Sequence, residues 1–290
     1  MANDTCPNCG TSLEEGMRFC PACGQEQRER VVPLGQLFQD VLRENFAFDS
    51  KFFRSVPLLF FRPGSLTKEF IAGRHVRYIP AVRLYVFVSV IAFLVFALFS
   101  SESRLIKDGR LVDQDGPGYT IEGMEDAVAE VDSLGVEEWK RAHLDEGDPM
   151  ERFGQKLVLL NHQGLMPVVL DRFRQQLPLP LLLMLPLLAL VLKLLFWKRF
   201  FVVHLVFSFH WAAFLLLTFM LLFLVDQLVR SSMSWMVIPI GLVQLVLALR
   251  NVHGIGWLRS SLSGLVVVSV TLVLLGLTMM ATMIYVVDQV

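Results

Sequence analysis

The residues with the clearest chemistry stand in the first 25 positions. Cys6-Pro-Asn-Cys9-Gly10 and Cys20-Pro-Ala-Cys23-Gly24 set four thiols in a C-x2-C, x10, C-x2-C pattern. Two residues between thiols let one tight turn present both sulfurs to the same ion. The glycine after each pair can adopt the positive φ that finishes such a turn. Two knuckles of this kind supply four thiolates, the donor set of a closed, tetrahedral, structural Zn2+ site. With Cys6, Cys9, Cys20 and Cys23 all engaged, no coordination position is left for catalysis. The chain has no other cysteine, which suits metal binding in a reducing compartment better than a disulfide framework. A thioredoxin-like redox pair needs only one C-x-x-C and a βαβ setting. A segment this short cannot bury an adequate core, so the metal itself is expected to supply the folding free energy.

Residues 1–30 carry five acids (Asp4, Glu14, Glu15, Glu26, Glu29) against Arg18, Arg28 and Arg30. Binding to phosphates is driven by basic residues, so this balance disfavours nucleic acid as the partner. It points to a structural ribbon or a contact with another cytosolic or membrane protein. No apolar h-region occurs in these 30 residues, so the first membrane helix is expected to act as the insertion signal.

The elements behind the ribbon are dominated by hydrocarbon. Of 290 residues 54% are hydrophobic and the mean hydropathy is +0.55, too apolar for an ordinary soluble chain. Leu34, Leu37, Phe38, Val41 and Leu42 recur at the spacing of one helical face within 33–46. Phe52, Phe53, Val56, Leu59 and Phe60 do the same within 51–61, Arg62-Pro63-Gly64 interrupts, and a helix restarts at Ser65 and stops at Gly73. Between Lys51 and Arg83 seven basic residues face one acid, Glu69. That mixture suits helices at an anionic inner-leaflet surface, or serves topology alone.

Residues 81–100 have the length that crosses a ~30 Å hydrocarbon layer. Residues 101–176 follow with 16 acids against 9 bases; Ile121, Met124 and Val128, then Phe153, Leu157 and Leu160, suggest short helices there. His143 with Asp145, Glu146 and Asp148 reads as an acidic solvated turn rather than a metal cluster. Four more apolar runs cover 177–197, 202–225, 235–249 and 264–287, the third interrupted by Gly241 and Gln244. Lys198 and Arg199 lie in one connecting loop, Arg250 and Arg259 in another. With an inside N-terminus every basic loop falls on the cytosolic side, which predicts five spans, N-in and C-out.

The expected organisation is thus an all-α multi-pass membrane protein with a small β-rich zinc ribbon. Residues 1–30 form the cytosolic ribbon and 31–80 the juxtamembrane amphipathic or interfacial helices. The first span is 81–100, an acidic extracytoplasmic loop or small helical domain covers 101–176, and the helical membrane domain covers 177–290.

Three blocks of the sequence resemble one family. They are Cys6–Gln25 (CPNCG…FCPACGQ), Phe48–Tyr85 (FDSKFFRSVPLLFFRPGSLTKEFIAGRHVRYIPAVRLY) and Phe201–Phe214 (FVVHLVFSFHWAAF). The resemblance is to a bacterial group of zinc-ribbon membrane proteins whose domain is catalogued as of unknown function. The second block resembles that group's F-D-x-K-x-x-R-[ST] start and its later P-G…Y-x-x-G-[KR]-R-x-x-Y-x-x-P run, with Pro80 one residue nearer to Tyr78 than in that run. Phe70 stands where the group usually has Tyr, and His75 where it usually has a basic residue. The resemblance implies a multi-pass fold behind a ribbon in a bacterial inner membrane and carries no activity with it.

Polar groups within spans are costly in lipid and point to function. Here they are His204, Ser208 and His210, with Lys193, Gln244 and Thr271 elsewhere. His204 and Ser208 share a helical face; His210 lies about 120° away, so one helix cannot offer both rings to one ion. Interhelical hydrogen bonding by the His and Ser side chains, with Trp197, Trp211 and Trp235 as interface anchors, is preferred here to a proton or metal path. No P-loop, H-E-x-x-H or G-x-S-x-G supports an enzyme. The expected function is an interaction or assembly module, with a small transporter or channel-like protein using 202–225, and a membrane-tethered nucleic-acid binder, as alternatives.

Overall fold

In a computed structural model of the chain, residues 5–14, 17–26, 50–100, 104–107, 110–113, 124–143, 149–230 and 232–290 are described. The amphipathic segment expected over 33–46 lies outside them, as do Asp145, Glu146 and Asp148. The chain divides into two compact units, Met1–Val95 with Leu183–Val273, and Phe96–Leu182 with Leu274–Val290.

In the first unit, helix α1 (Ser50–Phe61) turns Phe52, Val56, Leu59 and Phe60 of its predicted apolar face inward, while Phe53 of that face is 65% exposed. Leu59 is inaccessible, and Phe60 and Phe52 meet Phe214 and Phe87 at ring distances of 5.1 and 4.9 Å. Ser55, fully buried, donates to the Lys51 carbonyl and accepts from the Ile79 N–H, tying α1 to the segment before the first span. Arg62-Pro63-Gly64 ends α1, with Gly64 at φ 78°, a conformation that favours glycine. A Cβ on Gly64 would also meet Ala248 O and Val252 Cγ2 at 2.9 Å, so the turn needs glycine for space as well. Helix α2 (Ser65–Ile71) follows and buries Leu66 and Thr67. It packs against the later spans instead of lying only on a surface.

Five described helices are long and apolar enough to cross a membrane. They are α3 (Ala81–Ser100), α8 (Pro178–Leu195), α9 (Phe201–Val229), α10 (Val237–His253, preceded by a 3-10 turn, Ser234–Met236) and α11 (Trp257–Gln289). Gly241 and Gln244 do not break α10. A Cβ at Gly241 would fall 2.5 Å from Leu215 Cδ2, so the glycine marks a close approach of α9 to α10. Helix α11 starts about two turns before Gly264 and runs 33 residues, about 50 Å at 1.5 Å per residue. Leu188, Leu192, Phe207, Trp211, Leu245, Leu249 and Val267 form a core cluster of this unit. Much of the rest of the spans is exposed and apolar, as lipid contact requires.

The second unit contains a two-stranded antiparallel hairpin, β1 (Arg104–Lys107) and β2 (Arg110–Asp113), pairing Arg104 with Asp113. Four short helices follow: α4 (Glu125–Leu134), α5 (Val136–His143), α6 (Pro149–His162) and α7 (Met166–Gln176). Leu157, Leu160, Met166 and Val169 pack with Val286 and Val287, and Val131, Trp139, Val158 and Leu159 form a second cluster.

Candidate functional site

The ribbon is built from two turns of the same design, 14 residues apart. Gly10 N–H donates to Cys6 O and Gly24 N–H to Cys20 O, each at 2.8 Å; Cys6 N–H donates to Thr11 O and Cys20 N–H to Gln25 O, again at 2.8 Å. Gly10 and Gly24 take φ of 78° and 70°. Isolated antiparallel bridges Thr5–Ser12 and Phe19–Glu26 close the two turns; among the described residues the ribbon has these bridges and no extended strand.

The turns bring Cys6, Cys9, Cys20 and Cys23 together, with all four sulfurs within 4.8 Å of one another. Cys6 Sγ lies 3.7 Å from Cys23 Sγ, and Cys9 Sγ 3.6 Å from Cys20 Sγ. A tetrahedron of sulfurs around a Zn2+ ion at about 2.3 Å has an edge of about 3.8 Å, so the donor set fits that metal. The Thr11 hydroxyl, 3.2 Å from Cys9 Sγ, and the Thr11 N–H pull the Cys9 thiol down to about 6, toward the thiolate a metal requires. Burial pushes Cys23 the other way, to about 11; a divalent cation among the sulfurs opposes that rise.

Gln25, the residue after the second knuckle, docks the ribbon. It is 3% exposed; its Nε2 donates to Gly73 O at 2.7 Å and its Oε1 accepts from His75 N–H at 3.2 Å. Both partners stand just after α2, at the turn where Gly73 takes φ 78°.

A second polar group of residues lies within the spans. Thr67 Oγ1 of α2 and His210 Nδ1 of α9 share a hydrogen bond of 3.0 Å, with both residues buried. His210 is nine residues into α9, about 13 Å along its axis. Thr67, His210, Gln244 and Arg62 line a cavity of about 10 Å3 with Leu59, Leu66, Phe207 and Trp211, room for about one water. Gln244 Oε1 is buried and meets no donor among the described residues.

The other polar residues singled out in the spans go elsewhere. His204 Nε2 bonds Phe196 O at 3.2 Å, Ser208 donates to His204 O, and Thr271 donates to Val267 O. His204 and His210 therefore serve different contacts, as their angular separation requires. Lys193 Nζ donates to Trp197 O and Arg199 O, closing the C-terminus of α8. Trp197 and Trp235 are exposed, whereas Trp211 is 5% exposed and donates to Gly241 O; packing against α10 replaces the expected interface role. In the second unit His143 stacks on Trp139 and faces Glu130 at 3.8 Å.

Gln25 and Thr67 are missing from the sequence reading. Thr67 precedes Phe70 and Ile71 by three and four residues, which puts it on the apolar side of α2 and is a usable signal. Gln25 has no such periodic mark.

No curated protein and no solved structure matches the chain. Residues 5–27 match a zinc-ribbon domain. Residues 49–93, the segment that forms α1, α2 and most of α3 and carries both Thr67 and the Gly73–His75 turn, match a family described as protein of unknown function (DUF3667).

Proposed function

We propose that the chain is a multi-pass protein of a bacterial inner membrane, N-terminus inside and C-terminus outside, whose N-terminal ribbon holds a structural Zn2+ and acts as an interaction or assembly module. The observation that carries this reading is the Gln25 contact: the ribbon is seated on the segment before the first span by a buried amide. A seated ribbon presents one fixed surface to a cytosolic or membrane partner. Phe19, 55% exposed beside Arg18, belongs to that surface. The ribbon's β-rich character and the closed tetrahedral geometry belong to the same reading.

Metal analysis of the purified full-length protein is expected to give one zinc per chain, and Cys20→Ser to lose it while membrane insertion persists. Reporter fusions near Glu130, at Lys198 and at the C-terminus are expected to read outside, inside and outside. Crosslinked partners captured by the intact protein and lost with Cys20→Ser support the module; identical capture by both sinks it.

A second reading, a small transporter or channel-like protein, is favoured by the cavity at Thr67, His210 and Gln244. Flux from liposomes that His210→Ala abolishes supports it, and no flux across a broad solute panel removes it.

A further inference from the structure

Three cation-bearing turns meet at the C-terminal end of α10. Asn251 Nδ2 donates to Pro63 O at 2.9 Å, which brings in the α1–α2 turn. Phe196 stacks on His253 with ring centroids 3.8 Å apart, which brings in the turn between α8 and α9. The turn into α11 is held by Arg250, whose guanidinium lies 4.3 Å from the Trp257 ring centroid. Together these turns carry Arg62, Lys198, Arg199, Arg250 and Arg259, all exposed. No Asp or Glu occurs in residues 57–68, 193–204 or 248–262, and none of the five cations has a carboxylate partner among the described residues. Topology alone needs positive charge in these loops; it does not need them gathered around one helix end with no carboxylate partner among the described residues.

The apolar surroundings are those of a membrane boundary. Phe61, Trp197, Phe200 and Leu258 are 70–85% exposed beside the cations. Aromatic rings favour the headgroup level, and exposed apolar side chains favour acyl chains. Water alone would leave this aromatic surface uncompensated.

We propose that the rim formed by these three turns is a headgroup site for an anionic phospholipid of the bilayer, its phosphate held by the convergent cations and its acyl chains lying along the exposed apolar residues. The site depends on the spans lying in a bilayer and is independent of what the ribbon does. Arg offers bidentate donors to phosphate, and basic residues at an anionic membrane surface contribute about 1 kcal/mol each.

The test uses the full-length protein, purified in detergent and stripped of lipid, with bound lipid read by native mass spectrometry. Phosphatidylglycerol is expected to bind at least tenfold more tightly than phosphatidylcholine. The pair Arg250→Gln/Arg259→Gln is expected to weaken phosphatidylglycerol roughly thirtyfold, about fivefold per cation. Lys140→Gln/Arg141→Gln in α5, in the other unit, should change nothing. Arg250 also packs on Trp257, so Lys198→Gln/Arg199→Gln provides a second variant whose side chains make no hydrogen bond or ion pair among the described residues. Equal binding of the two lipids, or phosphatidylglycerol binding that survives both pairs of substitutions, overturns the proposal. Displacement of phosphatidylglycerol by millimolar inorganic phosphate also overturns it, because the site would then take the free anion.

Discussion

Gln25 holds Gly73 from one side of a turn and His75 from the other, through a single side-chain amide acting as donor and acceptor at once. The amide sits one residue past the glycine that finishes the second cysteine knuckle, and its backbone carbonyl accepts from Cys20 N–H. The cysteine cluster and the order of the 73–75 turn are therefore connected through one residue. Stripping zinc with a chelator should speed amide hydrogen exchange at His75, and Gln25→Ala should do the same with zinc still bound. Unchanged exchange at His75 in the chelated protein would break this link.

Replacing Thr67 by Val keeps the shape and leaves His210 Nδ1 without its partner. A buried polar atom stripped of its hydrogen bond costs about 1–3 kcal/mol. Thermal unfolding in detergent should show Thr67→Val below the parent protein and Thr67→Ser close to it. Equal midpoints for the two variants would mean that the contact contributes nothing.

Two glycines at similar φ separate backbone strain from crowding. Gly10 has open space around an added Cβ, whereas at Gly64 it would meet backbone and side chain of α10 at 2.9 Å. Gly10→Ala should cost about 1–2 kcal/mol from the left-handed conformation alone. Gly64→Ala carries that cost and must also push α2 away from α10. Its unfolding midpoint should fall further, and the Thr67–His210 contact should weaken with it.

Arg74 donates to Glu69 through Nε and, at 2.6 Å, through Nη2, and holds the Glu69 carboxyl below its usual value of 4.5. A carboxylate whose folded value is depressed contributes stability above its unfolded value, and that contribution is lost as pH falls through the folded one. Both groups are partly exposed, so solvent screens the pair. The midpoint difference between the parent and Glu69→Gln should be positive at pH 7 and should shrink to nothing as the pH drops well below 4.5. A difference that grows on acidification would assign Glu69 another role.

The cysteine cluster is legible in the sequence because a C-x2-C turn is local: each pair needs only its own residues to aim both sulfurs. The spans are legible because hydropathy over some 20 residues is also a local property, and the Arg62-Pro63-Gly64 break between α1 and α2 can be read for the same reason. What α2 touches is not legible. The spacing puts Thr67 on the apolar side of α2 but says nothing of its partner, which stands 143 residues away. Trp211 fails as an interface anchor for a related reason. Its burial is set by Gly241 on another helix, whose missing side chain lets α10 come close enough to accept the indole N–H. Gln25 is hidden by its ordinariness, since a polar residue after a cysteine knuckle has no pattern that foretells a distant backbone turn.

The Thr67–His210 pairing also has a clock in it. At roughly 5–20 residues per second, the ribosome needs about 7–30 s after adding Thr67 to reach His210, and longer to complete α10. For that interval α1 and α2 exist without the helices that later cover Leu66 and Thr67. They have already been made beside a bilayer, and the basic, aromatic composition of 51–83 suits them to wait at its surface. Seating of α2 is then a late step, which can begin only once residues 201–253 have been inserted, so a chain truncated before Val237 should leave the 65–75 segment open to protease.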